Sequence, residues 1–171
     1  MKIAILGYSG SGKSTLAKHL ASTYDIPVLY LDTVQFLPYW RERDRDEARA
    51  IVAEFMQQKS WVIDGNYATF LQEERLAQAD YIIYLNFPRF VCLWRILKRY
   101  CRYKNISRES ITDDCNEKID LEFIWWVLYE GRTQSKRRHY KQIVNTYKGK
   151  SIVLKNQKQL DEFMSAPFDL K

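Results

Sequence analysis

Gly7-Tyr8-Ser9-Gly10-Ser11-Gly12-Lys13-Ser14 has the form G-x-x-x-x-G-K-[ST], and few eight-residue segments restrict a fold so tightly. The pattern has physical meaning only between a buried strand and a helix. Both flanks comply. Lys2-Ile3-Ala4-Ile5-Leu6 is a short apolar run with β-branched residues, which reads as a buried strand. After the loop, Leu16, Ala17, Leu20 and Ala21 recur at helical spacing. The glycines let successive backbone N–H groups turn inward as an anion nest, and the helix aims its positive end at the same point. Gly7, Ser9, Gly10, Ser11, Gly12 and Thr15 are thus expected to wrap the phosphates of ATP. Lys13 is expected to reach the β- and γ-phosphates, and the Ser14 hydroxyl to ligate Mg²⁺.

The rest of the chain repeats this alternation. Apolar runs at Val28–Leu31, Trp61–Asp64, Tyr81–Leu85 and Ser151–Leu154 read as four further strands. Helical periodicity falls near residues 46–58, 68–78, 89–103, 119–129, 135–146 and 158–164, while the polar stretch 104–117 reads as a loop. Five strands separated by helices predict an α/β domain with a parallel sheet covered on both faces. Ligands bind such sheets beyond the carboxyl ends of the strands, where Asp32, Asp64 and Asn86 fall.

A length of 171 residues predicts one domain, residues 1–171. The first residues already form a charged strand, which predicts no signal peptide, and no apolar run reaches the ~20 residues of a membrane span. Cys92, Cys101 and Cys115 are odd in number and form no C-x-x-C pair, so no disulfide framework or zinc ribbon is expected and a reduced, cytoplasmic setting fits. The net charge of +6 suits a polyanionic ligand, nucleotide or nucleic acid.

Residues 89–108 hold seven basic side chains and no acid, and Arg95, Arg99 and Arg102 fall at i, i+4, i+7 on one helix face. Phosphoryl transfer rests on positioning and on neutralising charge, which guanidinium forks do well, so Arg95 and Arg99 are candidates to stabilise the moving phosphoryl group. The neighbouring apolar stripe Phe90, Leu93, Trp94, Leu97 predicts that this helix packs while holding the arginines at its edge. Asp32 and Asp64 are the candidate acids, for a metal through water or for the proton of an acceptor hydroxyl. His19 and His139 are expected to be structural or solvated, and Trp125-Trp126 to pack in the core.

The P-loop, Asp64-Gly65 closing strand three, and Leu85-Asn86-Phe87-Pro88 followed by Arg95 and Arg99 resemble the adenylate kinase-like nucleoside monophosphate kinases. A closer resemblance is to the FlaR-related bacterial DNA topology modulation proteins. It is carried by Trp61-Val62-Ile63-Asp64-Gly65-Asn66-Tyr67, Arg75-Leu76-Ala77-Gln78-Ala79-Asp80, Pro88–Arg95 and Leu121-Glu122-Phe123-Ile124-Trp125-Trp126. The resemblance implies strand order 2-3-1-4-5, a helical lid at roughly 100–135, ATP and Mg²⁺ as cofactors, and arginines after strand four that contact ATP phosphates. It also implies an adenine site after strand five, around Lys155 and Asn156, to which Arg95 or Arg132 contributes. One departure bears on the acceptor. Adenylate kinases follow strand three with Asp-Gly-Phe-Pro-Arg, whose arginine holds the acceptor phosphate, whereas this chain has Asn66-Tyr67-Ala68. Either Arg41, Arg43, Arg45 or Arg49 substitutes, or the acceptor is not AMP.

The expected function is therefore transfer of the ATP γ-phosphate to a small acceptor of nucleotide or nucleoside type, by a monomer or homodimer. Lys13, Asp32, Arg95 and Arg99 would be the catalytic residues, and Ser14 the metal ligand. The alternative is a nucleotide-dependent DNA-binding protein.

Overall fold

The computed structural model describes residues 1–103, 112 and 119–165. Strand β1 (Lys2–Gly7) leads into helix α1 (Lys13–Tyr24), and β2 (Val28–Tyr30) into a short α2 (Leu31–Gln35). A hairpin follows, β3 (Phe36–Leu37) against β4 (Arg41–Glu42), joined through a 3₁₀ turn at Pro38–Trp40. Next come α3 (Arg45–Phe55), β5 (Trp61–Asp64), α4 (Gln72–Gln78), β6 (Tyr81–Leu85) and α5 (Arg89–Tyr103). Beyond the stretch around 104–118 lie α6 (Leu121–Leu128), a 3₁₀ turn at Glu130–Arg132, α7 (Gln134–Thr146), β7 (Ser151–Leu154) and α8 (Gln157–Ser165).

The five long strands form one parallel sheet in the order β2-β5-β1-β6-β7, which is 2-3-1-4-5 when only its own strands are counted. Ile3, Ala4 and Ile5 of β1, Trp61, Val62 and Ile63 of β5, and Ile82 and Ile83 of β6 have no exposed surface, as strands covered on both faces require. Leu16, Ala17 and Leu20 of α1 supply the apolar stripe that covers one face. The register pairs Ile5 and Tyr30 with Asp64, and Gly7 with Leu85. The carboxyl ends of the central strands therefore reach the P-loop together. Among the described residues no helix is long and apolar enough to cross a membrane.

The expected elements are found with shifted ends. Leu31, expected to end the second strand, opens α2, where the Thr33 hydroxyl donates to the Tyr30 carbonyl at 2.7 Å. The fourth helix starts at Gln72 rather than at 68. Leu71 precedes it at φ 54°, and buried Arg75 holds the carbonyls of the preceding loop. The hairpin was not expected; Tyr39 and Trp40 close it in the left-handed region, at φ 64° and 60°.

Two packing expectations are overturned. Phe90, Trp94 and Leu97 of α5 do not pack inward but are 71%, 68% and 37% exposed, because Cys92 and Ile96 occupy the side against the P-loop. That side has no room for an indole, since a Cβ on Gly10 would already lie 2.5 Å from the Cys92 carbonyl oxygen. Likewise Trp125 is 54% exposed and only Val127 of α6 is fully buried. Most of the polar stretch 104–117, and with it part of the expected lid at 100–135, lies outside the described residues.

Candidate active site

The P-loop takes its shape from backbone that side chains rarely tolerate. Gly10 stands at φ +74° in contact with α5, and Gly12 at φ +100° forms the N-cap of α1. The Ser11 amide donates to the Tyr8 carbonyl at 3.1 Å, and Lys13 Nζ donates to the same oxygen at 3.2 Å. The Tyr8 ring packs edge-on against Tyr84 and Tyr140, with centroids 6.1 and 5.5 Å away.

At the other strand ends two carboxylates approach this loop. The Ser14 hydroxyl donates to Asp64 Oδ2 at 2.7 Å. Asp64 is buried, and its Oδ1 has no hydrogen-bond partner. Burial raises its pKa from 3.8 to about 6; Lys13, the Ser14 hydrogen bond and Arg75 pull it down, while Asp32 pushes it up. Asp32, at the start of α2, accepts from the Tyr67 hydroxyl at 2.8 Å. Burial first, and then Asp32, push the Tyr67 phenol upward, so it stays a donor. A serine hydroxyl and one carboxylate with an unpartnered buried oxygen are hard oxygen donors and fit Mg²⁺, which needs few protein ligands when substrate phosphates and water complete its shell.

Asn66 had no role in the sequence reading beyond marking a departure. In the structure its side-chain amide pairs with both backbone groups of Gly7: Oδ1 accepts from the Gly7 amide at 3.0 Å and Nδ2 donates to the Gly7 carbonyl at 2.7 Å. The pairing begins one residue after the Gly65 amide donates to the Ile5 carbonyl, so the side chain continues the β1–β5 ladder past the end of β5. Gln72 Nε2 donates to the Asn66 carbonyl at 3.1 Å, and His139 Nε2 lies 2.9 Å from Gln72 Oε1, which ties α7 to the same loop. Arg75 is fully buried and donates to the carbonyls of Phe70 and Tyr67, each at 2.8 Å, and to that of Gly65 at 3.4 Å. A sequence signal existed for Asp64 and Asn66, since both stand at a strand end opposite the P-loop. Arg75 stood in a segment that carried the family resemblance, but nothing in the sequence marked it as the residue that holds the loop carbonyls.

The remaining candidates divide. Arg95 donates to the Ser11 carbonyl at 2.6 Å and bonds Gln157 Oε1, with its guanidinium 4.3 Å from the Phe87 ring centroid. It thus stands on the P-loop. Arg99 lies half-buried one turn further along α5. Arg132, assigned to an adenine pocket, is buried among other groups. It donates to the Phe87 carbonyl at 2.9 Å, the Val127 carbonyl at 3.2 Å and Cys92 Sγ at 3.1 Å, and covers the Tyr8 ring at 3.7 Å. It props the P-loop tyrosine. Asn156 itself caps α8, its Oδ1 accepting from the Gln159 amide at 2.9 Å. Ser9 and Thr15 keep their places at the P-loop and in α1.

A family model described as an AAA domain matches residues 3–116, about two thirds of the chain. Comparison with curated protein sequences gives no match. Two solved structures of deoxyadenosine kinase from M. mycoides are similar at 18% identity, covering 96% of this chain and 97% or 96% of theirs. Their TM-scores are 0.57 for the form with bound dATP and 0.54 for that with dCMP and dCDP. A shikimate kinase from Bacteroides thetaiotaomicron is similar at 16% identity over 96% of this chain and 94% of its own, with a TM-score of 0.49. The chain therefore belongs to the AAA domain family and shares the fold of the deoxyadenosine kinase structures.

Proposed function

We propose that this protein transfers the γ-phosphate of ATP, with Mg²⁺, to a hydroxyl group of a small acceptor of the nucleoside class. The observation that carries the reading is the Ser14–Asp64 pair at 2.7 Å with Asp64 Oδ1 buried and unpartnered, set within the electrostatic reach of Lys13. Ser14 and Asp64 would hold the metal, which neutralises charge on the β- and γ-phosphates. The loop amides and Lys13 bind and orient the phosphates. Arg95 fixes the loop through the Ser11 carbonyl and supplies positive charge there; Arg99 extends that charge along α5. Asp32, oriented by Tyr67, takes the proton of the attacking hydroxyl.

The acceptor side favours an uncharged hydroxyl compound over a monophosphate. Its carboxylate, Asp32, would repel a second phosphate. Arg75 is committed to loop carbonyls. Arg43 is held by the Val34 carbonyl at 2.9 Å and by Glu47. The DNA-binding alternative, which rests on the basic lid and the aromatic-rich helices, is not favoured, since the fold likeness is to kinases and Arg95 is engaged at the P-loop; the likeness to the DNA topology modulation group names an effect and no reaction. A single working unit over 1–171, with 100–135 as its lid, and a cytoplasmic setting where ATP is at hand belong to the same proposal.

The test is ADP release with Mg²⁺ and ATP against a panel of nucleosides, nucleoside monophosphates and simple alcohols. Nucleosides should stimulate release. Lys13→Ala should abolish it while leaving the circular dichroism spectrum unchanged. Full activity in that variant, or stimulation by monophosphates alone, would overturn the reading.

A further inference from the structure

Nine large hydrophobic side chains are exposed among the described residues, and eight of them lie on α5, on α6 or at Tyr129, just past the end of α6. The two helices lie side by side. The Arg89 guanidinium sits 5.5 Å from the Tyr129 ring centroid, and Arg132 bonds the carbonyls of Phe87 and Val127 on the two sides. Phe90, Trp94, Leu97, Leu121, Trp125 and Tyr129 therefore form one surface rather than scattered positions. At about 200 Å² for each large side chain and these fractional exposures, the apolar area is roughly 700 Å². A monomer seldom leaves more than a few hundred Å² of apolar surface in one patch.

We infer that this α5/α6 face is the interface of a two-fold homodimer. Two features select a second copy as the occupant. The first is area: a stable interface buries roughly 600–1,000 Å² on each partner, a range this patch reaches. The second is charge. Over residues 89–103 Arg89, Lys98 and Arg102 lie outside the P-loop contact and no acid occurs, whereas residues 120–130 carry Asp120, Glu122 and Glu130 and no base. In an isologous contact, residue i of one copy meets residue j of the other and the reverse, so the basic edge of α5 faces the acidic edge of the partner's α6 twice over. The acidic edge opposes anionic lipid and nucleic acid, which a uniformly basic rim would favour. Residues 104–118, whose large apolar side chains are Ile106 and Ile111, do not match a patch of this size, nor do the six residues 166–171.

The test is sedimentation equilibrium of the full chain without ligand. The wild-type protein should sediment at twice its 20.5 kDa mass at low micromolar concentration. Trp94→Glu combined with Trp125→Glu should sediment at 20.5 kDa with an unchanged circular dichroism spectrum. Each substitution should weaken self-association roughly 30-fold or more, the size of an aromatic hot spot. Tyr39→Glu, at the ninth exposed hydrophobic residue and outside the patch, should remain dimeric. A wild-type protein that stays at its chain mass up to about 100 μM, above the Kd of a stable interface of this area, overturns the inference. So does a dimer that survives the double substitution, or one that Tyr39→Glu disrupts as strongly. Because the readout is mass, it is independent of whether the kinase reading holds.

Discussion

Asn66 performs a backbone's task with a side chain. Gly7 must leave the sheet to begin the P-loop, yet both its amide and its carbonyl are satisfied, because the Asn66 carboxamide offers an acceptor and a donor at strand-pair spacing. Removing both should loosen the start of the loop by about 1–3 kcal/mol. Asn66→Ala should therefore raise the KM for ATP about tenfold or more with little change in the KM for the acceptor, in steady-state kinetics with each substrate varied. Asn66→Asp should do worse, since a carboxylate oxygen would replace the donor facing the Gly7 carbonyl. Asp64 gives a second prediction at this scale. Its pKa rises on folding from 3.8 to about 6, so its favourable contribution is complete below pH 3.8 and is lost as pH climbs through 6. In the absence of metal, Asp64→Asn should be more stable than the parent at pH 7 by roughly 2–3 kcal/mol. That advantage should vanish below about pH 4 in urea titrations run across the range, while Mg²⁺-dependent turnover should be lost.

At the scale of elements, two contacts decide the shape of the site. The first is α5 against the P-loop. Gly10 allows the approach, and a Cβ there would meet the Cys92 carbonyl oxygen at 2.5 Å and Ile96 Cγ1 at 2.8 Å at a φ of +74°. Gly10→Ala should displace the loop from α5 and abolish nucleotide binding, as read by calorimetric titration with ATP. The second contact is the loop between β5 and α4, whose carbonyls turn inward onto Arg75. Burial lowers the Arg75 pKa to about 10, yet it remains charged at neutral pH and its donors have no substitute. Arg75→Met keeps the length and removes the donors, so it should cost about 3 kcal/mol or more, measured as a fall in the urea midpoint. The sequence announces the elements themselves through their periodicity, and β5, β6 and β7 fall where the apolar runs place them. It does not announce which face of a helix is inward. Phe90, Trp94 and Trp125 look like core from hydrophobicity alone, but the sheet accepts only one stripe per helix, and the close approach at Gly10 gives that stripe on α5 to Cys92 and Ile96.

For the whole molecule, ligand binding and folding are linked. If ATP and Mg²⁺ bind at the strand ends, saturation at a hundredfold over Kd stabilises the fold by about 2.7 kcal/mol. For a chain of this size that is a rise in Tm of roughly 5–10 °C. The rise should appear in a thermal melt with both ligands, shrink without Mg²⁺, and be absent in Lys13→Ala. What the sequence by itself determined is the class of fold and the place of the P-loop, because that loop is contiguous and its glycines act through local backbone geometry. What only the tertiary structure decided is the other half. It chose Asp64 as the partner of Ser14, gave Asp32 to Tyr67, and turned Asn66 onto Gly7 and Arg75 into a loop. It also set Arg132 over the Tyr8 ring. These pairings join residues brought together by the order β2-β5-β1-β6, and a side chain's partner across a parallel sheet depends on register and packing, which no local pattern encodes.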